Sequence, residues 1–213
     1  VAACGTILFA ADFMHLTQTR IATIDTYAVF FILLMYYFLY RWIVQPAGTS
    51  FKKGALPLFL SGLFWGIGAA SKWTVIYGGI GLAVLYFIAL FFKIRHWPAE
   101  TAGHRPGPWV GRTIAFSVLC FILMPAVIYT LSYIPYARAE GDVSLGNLIA
   151  CMWENQKYML SYHSGVTAEH PYSSRWYQWI VDARPILYYL DSSSTPGMKS
   201  AFGAFVNPVV CWG

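Results

Sequence analysis

GAASKWTVIYGG, residues 68–79, decides how this chain folds. It lies inside the apolar stretch 58–92, whose single charged residue is Lys72. As one helix that stretch would run about 52 Å, against a hydrocarbon core of about 30 Å. Two helices fit instead, a hairpin over 55–92 whose arms, roughly 55–71 and 73–92, meet at Ser71–Lys72. A lysine ammonium is costly at the bilayer centre. The same break therefore predicts that Lys72 sits at a membrane surface, in the turn of the hairpin.

Working outward, the composition agrees with a polytopic membrane protein. Of 213 residues 58% are hydrophobic and 11% are charged, where a soluble domain carries about a quarter charged. Aromatic residues at 18% suit interfacial belts. A further span is expected over 22–44, closed by Arg41, Pro46, Gly48 and the pair Lys52–Lys53, and another over 113–137. Val1–Ala11 and Ala201–Gly213 are each too short to cross, since eleven residues make about 16 Å of helix. They are expected to be a partial first helix and the start of a next membrane helix, cut by the ends of the chain. Residues 138–200 read as a polar, aromatic external loop, with 144–163 forming a helix in the membrane interface.

Lys and Arg orient the spans. The hairpin puts Arg41, Lys52, Lys53, Lys93, Arg95, Arg105 and Arg112 on one side with one acid, Glu100. The remaining seven basic residues share the other side with eight acids. The basic side is expected in the cytoplasm. Asp12–Asp25, Ser71–Lys72 and 138–200 then face outward together.

Each outward cluster has two readings. Arg20 either snorkels to headgroups or binds a phosphate through its planar fork; Thr23 or Asp25 caps the next helix. Lys72 is either an interfacial anchor or a phosphate contact, held by the small residues around it, Gly62, Gly66, Gly68, Ala69 and Ala70 before and Gly78, Gly79 and Gly81 after. Tyr172, Trp176, Tyr177 and Trp179, beside Arg175 and His170, make either an aromatic belt or a sugar or peptide platform. His163, Glu169 and His170 have no recognised ligand spacing, and no metal site is expected. Cys4, Cys120, Cys151 and Cys211 match neither a zinc site nor a disulfide framework and read as small apolar filler. No glycine loop for phosphates, nucleophile elbow or nucleic-acid signature is present, and no nucleic-acid partner is expected.

QTRIATIDTYAVFF (18–31), GIGAASKWTVIYGGIGLAVL (66–85) and YHSGVTAEHPYSSRWYQWIVDARPILYY (162–189), in this order, resemble the protein O-mannosyltransferase family, particularly its bacterial members. GAFVNPVVCW (203–212) resembles that family's Gly-Asn-Pro segment. The resemblance implies an all-α polytopic membrane protein, part of a GT-C glycosyltransferase transmembrane module with a large external loop. It implies an inverting enzyme of a bacterial cell membrane with its site on the external face. Such an enzyme moves mannose from a polyprenyl-phosphate carrier to Ser or Thr of exported proteins. The partners implied are the lipid bilayer, the polyprenyl-phosphate sugar as donor substrate, and an acceptor protein or peptide, with no cofactor.

Residue by residue, Arg20 and Asp25 match the family's Arg and Asp at the start of a membrane helix, and the fixed positive charge that a leaving donor phosphate needs suits Arg20 and Lys72. His163, His170, Tyr172 and Trp176 match its large external loop and, with Asp25 and Arg175, are expected to line the site. Lys72–Trp73–Thr74 matches the family's Lys-Trp-Thr. Trp179–Ile180 and Val206 depart from its Trp-Pro and Gly-Asn-Pro. The family's catalytic acid lies upstream of Val1, so neither Asp12 nor Asp25 is expected to be the general base, and the fragment alone is expected to be inactive. The alternatives are a transferase of another lipid-linked sugar, such as aminoarabinose, and a polytopic transporter.

Overall fold

Residues 51–71 hold four glycines, a Pro and two adjacent lysines at one end, and they nevertheless form one helix. A membrane explains this, because a spanning segment must satisfy its backbone internally whatever its propensity. A computed structural model describes residues 2–21, 23–98, 105–167, 172–191 and 199–209, with Trp179 described in its backbone alone. The chain falls into two compact units, Tyr27–Ser164 and, separately, Val1–Thr26 with Gly165–Gly213.

The larger unit is built from helices. α3 (Asp25–Ile43), α4 (Phe51–Ser71), α5 (Thr74–Arg95) and a composite segment over Pro106–Glu140 are each long and apolar enough to cross a membrane. The composite is α6 (Pro106–Val118), a π-helical turn (Leu119–Leu123), α7 (Met124–Leu131) and α8 (Ile134–Glu140). Pro125 has no N–H to return to residue 121, and the wider turn absorbs that missing bond. α9 (Leu145–Gly165) follows. α4 ends at Ser71 and α5 starts at Thr74, so the backbone breaks at Lys72–Trp73. Asp25 is the first residue of α3 rather than its cap, where its charge complements the helix dipole.

The outside of this unit is apolar: Phe30, Leu33, Tyr77, Ile80, Phe87 and Phe91 are all exposed. Its inside mixes apolar side chains (Met35, Leu39, Trp42, Leu58, Val75) with small and polar ones. Between apolar helices in lipid there is little hydrophobic drive, so close packing and hydrogen bonds must hold them. Gly62 and Gly66, one turn apart on α4, provide the closest approach. A Cβ at Gly62 would lie 2.3 Å from the Cys120 carbonyl oxygen, and one at Gly66 would lie 3.0 Å from the Cα of Pro125. Ser61, wholly buried, donates its hydroxyl to the Met35 carbonyl at 2.8 Å, and Tyr36 donates to the Gly78 carbonyl at 2.8 Å.

The end of the bundle opposite the Lys72 turn is closed by a lysine. Lys93, 7% exposed, donates to the Gln45 carbonyl and lies 5.1 Å over the Trp42 ring. Pro57 deprives the Lys53 carbonyl of its helical partner, and the Gln45 amide donates to that oxygen at 3.2 Å. The Trp109 indole donates to the Thr49 carbonyl at 3.0 Å, so the α3–α4 loop is held from three directions.

The smaller unit holds α1 (Ala2–Ala10), α2 (Phe13–Arg20), a 3₁₀ turn (Trp176–Val181), and two antiparallel strands, β1 (Ile186–Asp191) and β2 (Ser200–Ala204). Here an expectation is corrected. Residues 201–204, read as the start of a membrane helix, are a strand. β1, ILYYLD, is rich in residues that favour extended backbone. Its N–H and C=O groups need a partner, and 200–204 supply it, from Ile186 opposite Ala204 to Asp191 opposite Ser200. The helical backbone begins after Asn207, at 208–209.

Candidate functional site

In the larger unit the break at Lys72 is chemical as well as geometric. Lys72 takes an extended backbone (φ −155°, ψ 132°), and its N–H closes α4 on the Gly68 carbonyl at 2.9 Å. Its carbonyl accepts from Val75 N at 3.1 Å, so the lysine is the hinge of a two-residue turn between two helices. The side chain is half-buried. The next residue, Trp73, donates its indole N–H to the Tyr129 hydroxyl at 2.9 Å.

That bond opens a network no local pattern announces. The Gln156 amide donates to the hydroxyls of Tyr129 at 2.6 Å and Tyr133 at 3.0 Å. The Asn155 amide donates to Tyr133 at 3.0 Å, and the two phenol oxygens are 3.4 Å apart. Tyr129 and Tyr133 are four residues apart and so share a helical face. Polar groups ending an apolar span were the available signal in the sequence; their partners on α9 were not readable there. Nearby, the Cys151 thiol donates to the Glu140 carboxylate at 3.0 Å. That bond, with burial and the carboxylate's charge, pushes the thiol up to about 11. His163, near the end of α9, is exposed and lies edge-on to Tyr162.

Between α5 and α6 the same unit carries a groove of about 270 Å³ lined by Trp65, Leu82, Tyr86, Ser117, Phe121 and neighbours. Ser117 donates to the Tyr86 hydroxyl at 2.9 Å. Those two hydroxyls are turned on each other, while the buried Trp65 indole N–H in the same lining has no hydrogen-bond partner.

In the smaller unit Asp12 is the organising residue. It is 6% exposed. One carboxylate oxygen accepts from His15 N at 3.1 Å and caps α2; the other accepts from Asn207 N at 2.9 Å. Both oxygens are thus given to backbone, which suits a clasp rather than a proton acceptor. Asp182 accepts from Val206 N at 2.9 Å, from a left-handed backbone (φ 47°). Phe13 packs on Phe205 at 5.1 Å, and the Gln18 amide donates to Tyr188. Arg20 ends α2 with an exposed side chain; Arg175 and Trp176 are exposed, and Tyr172 is half-buried with the Arg184 guanidinium 4.3 Å over its ring.

This unit therefore contains Arg20, Asp25, Tyr172, Arg175 and Trp176, whereas Lys72 and His163 belong to the larger one. His170 lies outside the described residues. Among the described residues no three His, Cys, Asp or Glu side chains gather as a metal site would require.

Residues 1–137 match the sequence model of the family described as dolichyl-phosphate-mannose-protein mannosyltransferase. The chain is 26% identical over 161 residues to a Mycolicibacterium smegmatis protein named polyprenol-phosphate-mannose–protein mannosyltransferase. It is 25% identical over 163 residues to one of the same name from Mycobacterium tuberculosis. Each match covers 65% of this chain and 30% of the relative, so the chain spans under a third of the curated relatives it matches. No solved structure matches.

Proposed function

Because the chain belongs to the dolichyl-phosphate-mannose-protein mannosyltransferase family, we propose that the protein carrying it moves mannose from a polyprenyl-phosphate carrier to Ser or Thr hydroxyls of exported proteins. The reaction inverts the anomeric carbon and runs at the external face of a bacterial cell membrane. The observation that carries this reading is the family match over residues 1–137, which includes the Lys72 turn.

In the proposed reaction a carboxylate takes the proton of the acceptor hydroxyl. The hydroxyl oxygen attacks the anomeric carbon, and the carbon–oxygen bond to the lipid phosphate breaks. Negative charge stays on the leaving phosphate, and fixed positive charge beside it lowers the barrier. Lys72 is the proposed contact in the larger unit. Its half-buried stem and its place in a helix break support this, because the phosphate meets the ammonium where neither ion must be buried alone. Arg20, with an exposed fork at the end of α2, is the corresponding candidate in the smaller unit. Asp25, His163, His170, Tyr172, Arg175 and Trp176 are proposed to line the acceptor and sugar side. Asp12 is not proposed as the base, since backbone amides hold both its oxygens.

The test is transfer by the full-length protein in membranes, from radiolabelled polyprenyl-phosphate mannose to an acceptor peptide. Label should enter the peptide and leave it by alkaline β-elimination. Lys72→Met, which removes the charge and keeps most of the stem, should raise the donor concentration needed by about ten- to hundredfold, the worth of one charge-assisted bond. Lys72→Arg should recover part of it. Label that remains in lipid for every sugar tried would overturn the reading in favour of a transporter.

A further inference from the structure

The Lys72 turn is not held by its own helices alone. Trp73 stands at the N-cap of α5 and makes no side-chain cap bond, and the residue is exposed. What fixes the indole is the Tyr129 hydroxyl, from α7. Tyr129 is in turn fixed by Gln156, and Gln156 bridges to Tyr133, which Asn155 also holds. Three separate elements therefore meet in one chain of bonds: the hairpin turn, the end of the composite span, and α9. Each of the two phenol oxygens accepts two donors, so a displacement of α9 must strain or break bonds to Tyr129, the partner that holds Trp73.

We propose that Tyr129, Tyr133, Asn155 and Gln156 form a clasp that sets the position of the Lys72–Trp73 turn against α9, making them positioning residues for the lysine. α9 is the helix that leads through His163 into the residues proposed to line the site. The clasp thus couples α9 to the cation proposed for the donor phosphate. Small displacements of a binding group are expensive in rate, so a coupling of this kind reads out in donor use. The functional half of this inference rests on the proposed role of Lys72; the mechanical half does not.

Two measurements on the full-length protein in membranes separate these halves. In the first, Lys72→Cys in a background lacking the native cysteines is labelled with a water-soluble maleimide. Tyr129→Phe and Gln156→Ala should each change the labelling rate at position 72 severalfold, while Gly111→Ala, at a site with open space around it, should leave it unchanged. In the second, Tyr129→Phe, which keeps the ring and removes only the hydroxyl, should raise the donor concentration for half-maximal transfer about fivefold, the worth of one neutral hydrogen bond. The rate at saturating donor should stay close to that of the parent, and the substitution should add nothing in a Lys72→Met background. Unchanged labelling at position 72 overturns the clasp. Changed labelling with additive effects of Tyr129→Phe and Lys72→Met overturns its action through the lysine. Changed labelling with a Lys72→Met enzyme of normal donor dependence supports the clasp and rejects the phosphate role instead.

Discussion

Gly62 of α4 faces the carbonyl of Cys120 so closely that a methyl group between them would stand 2.3 Å from the oxygen. The obstacle is backbone in a π-helical turn, with no flexible side chain to swing aside. Gly62→Ala must push α4 away from the composite span. It should cost about 1–3 kcal/mol, as overpacking does, read as a lower thermal midpoint of the full-length protein in detergent. Gly111→Ala, where nothing lies within 4 Å of the added carbon, is the control and should not lower it.

Lys93 and Trp42 close the far end of the bundle together, the ammonium 5.1 Å over the indole and donating to the Gln45 carbonyl. Lys93→Met and Trp42→Phe should each destabilise the protein. Combined, they should do so by less than the sum of the two, with a coupling of about 0.5–2 kcal/mol in a double-mutant cycle. Additive effects would mean that the ring and the cation are neighbours without mutual attraction.

Cys151 should be a poor nucleophile, because its thiol donates to Glu140 and a thiolate would face that carboxylate. The folded protein holds this proton more tightly than the unfolded chain does. The stabilisation is complete below the ordinary thiol value of 9.0 and is lost as pH rises through about 11. With the other cysteines replaced by Ser, alkylation of Cys151 should accelerate only as pH approaches 11. Glu140→Gln should move that rise toward 9. An unmoved profile would assign the slow reaction to access alone.

The seven basic residues from Arg41 to Arg112, against the single acid Glu100 on their side, predict that both of these loops are cytoplasmic. Lys53→Cys and Arg105→Cys, each as the sole cysteine of the full-length protein, should be protected from an impermeant maleimide added outside. Gly165→Cys should react. The reverse pattern would invert the arrangement and remove Lys72 from the external face.

How much of this was legible beforehand differs by residue, for a physical reason. The break at Ser71–Thr74 followed from two quantities carried by the chain itself, the length of an apolar run and the one charge within it. The bilayer penalises both directly, so no neighbour was needed to locate it. The spans follow likewise, and the small residues around Lys72 were rightly read as helix contacts. Their partners were not, because in a spanning helix every face is apolar and periodicity no longer reports which side meets protein. That Gly62 meets Cys120, and that Gln45 covers the carbonyl exposed by Pro57, is decided by packing. Residues 201–204 read as helix because they are apolar; pairing with β1, whose backbone needed a partner, made them a strand. Asp12 and Asn207 are 195 residues apart, and Tyr129 and Gln156 join different helices. A hydrogen bond across such distances leaves no trace in either local sequence, so it was tertiary structure that turned polar residues at the ends of apolar runs into a clasp.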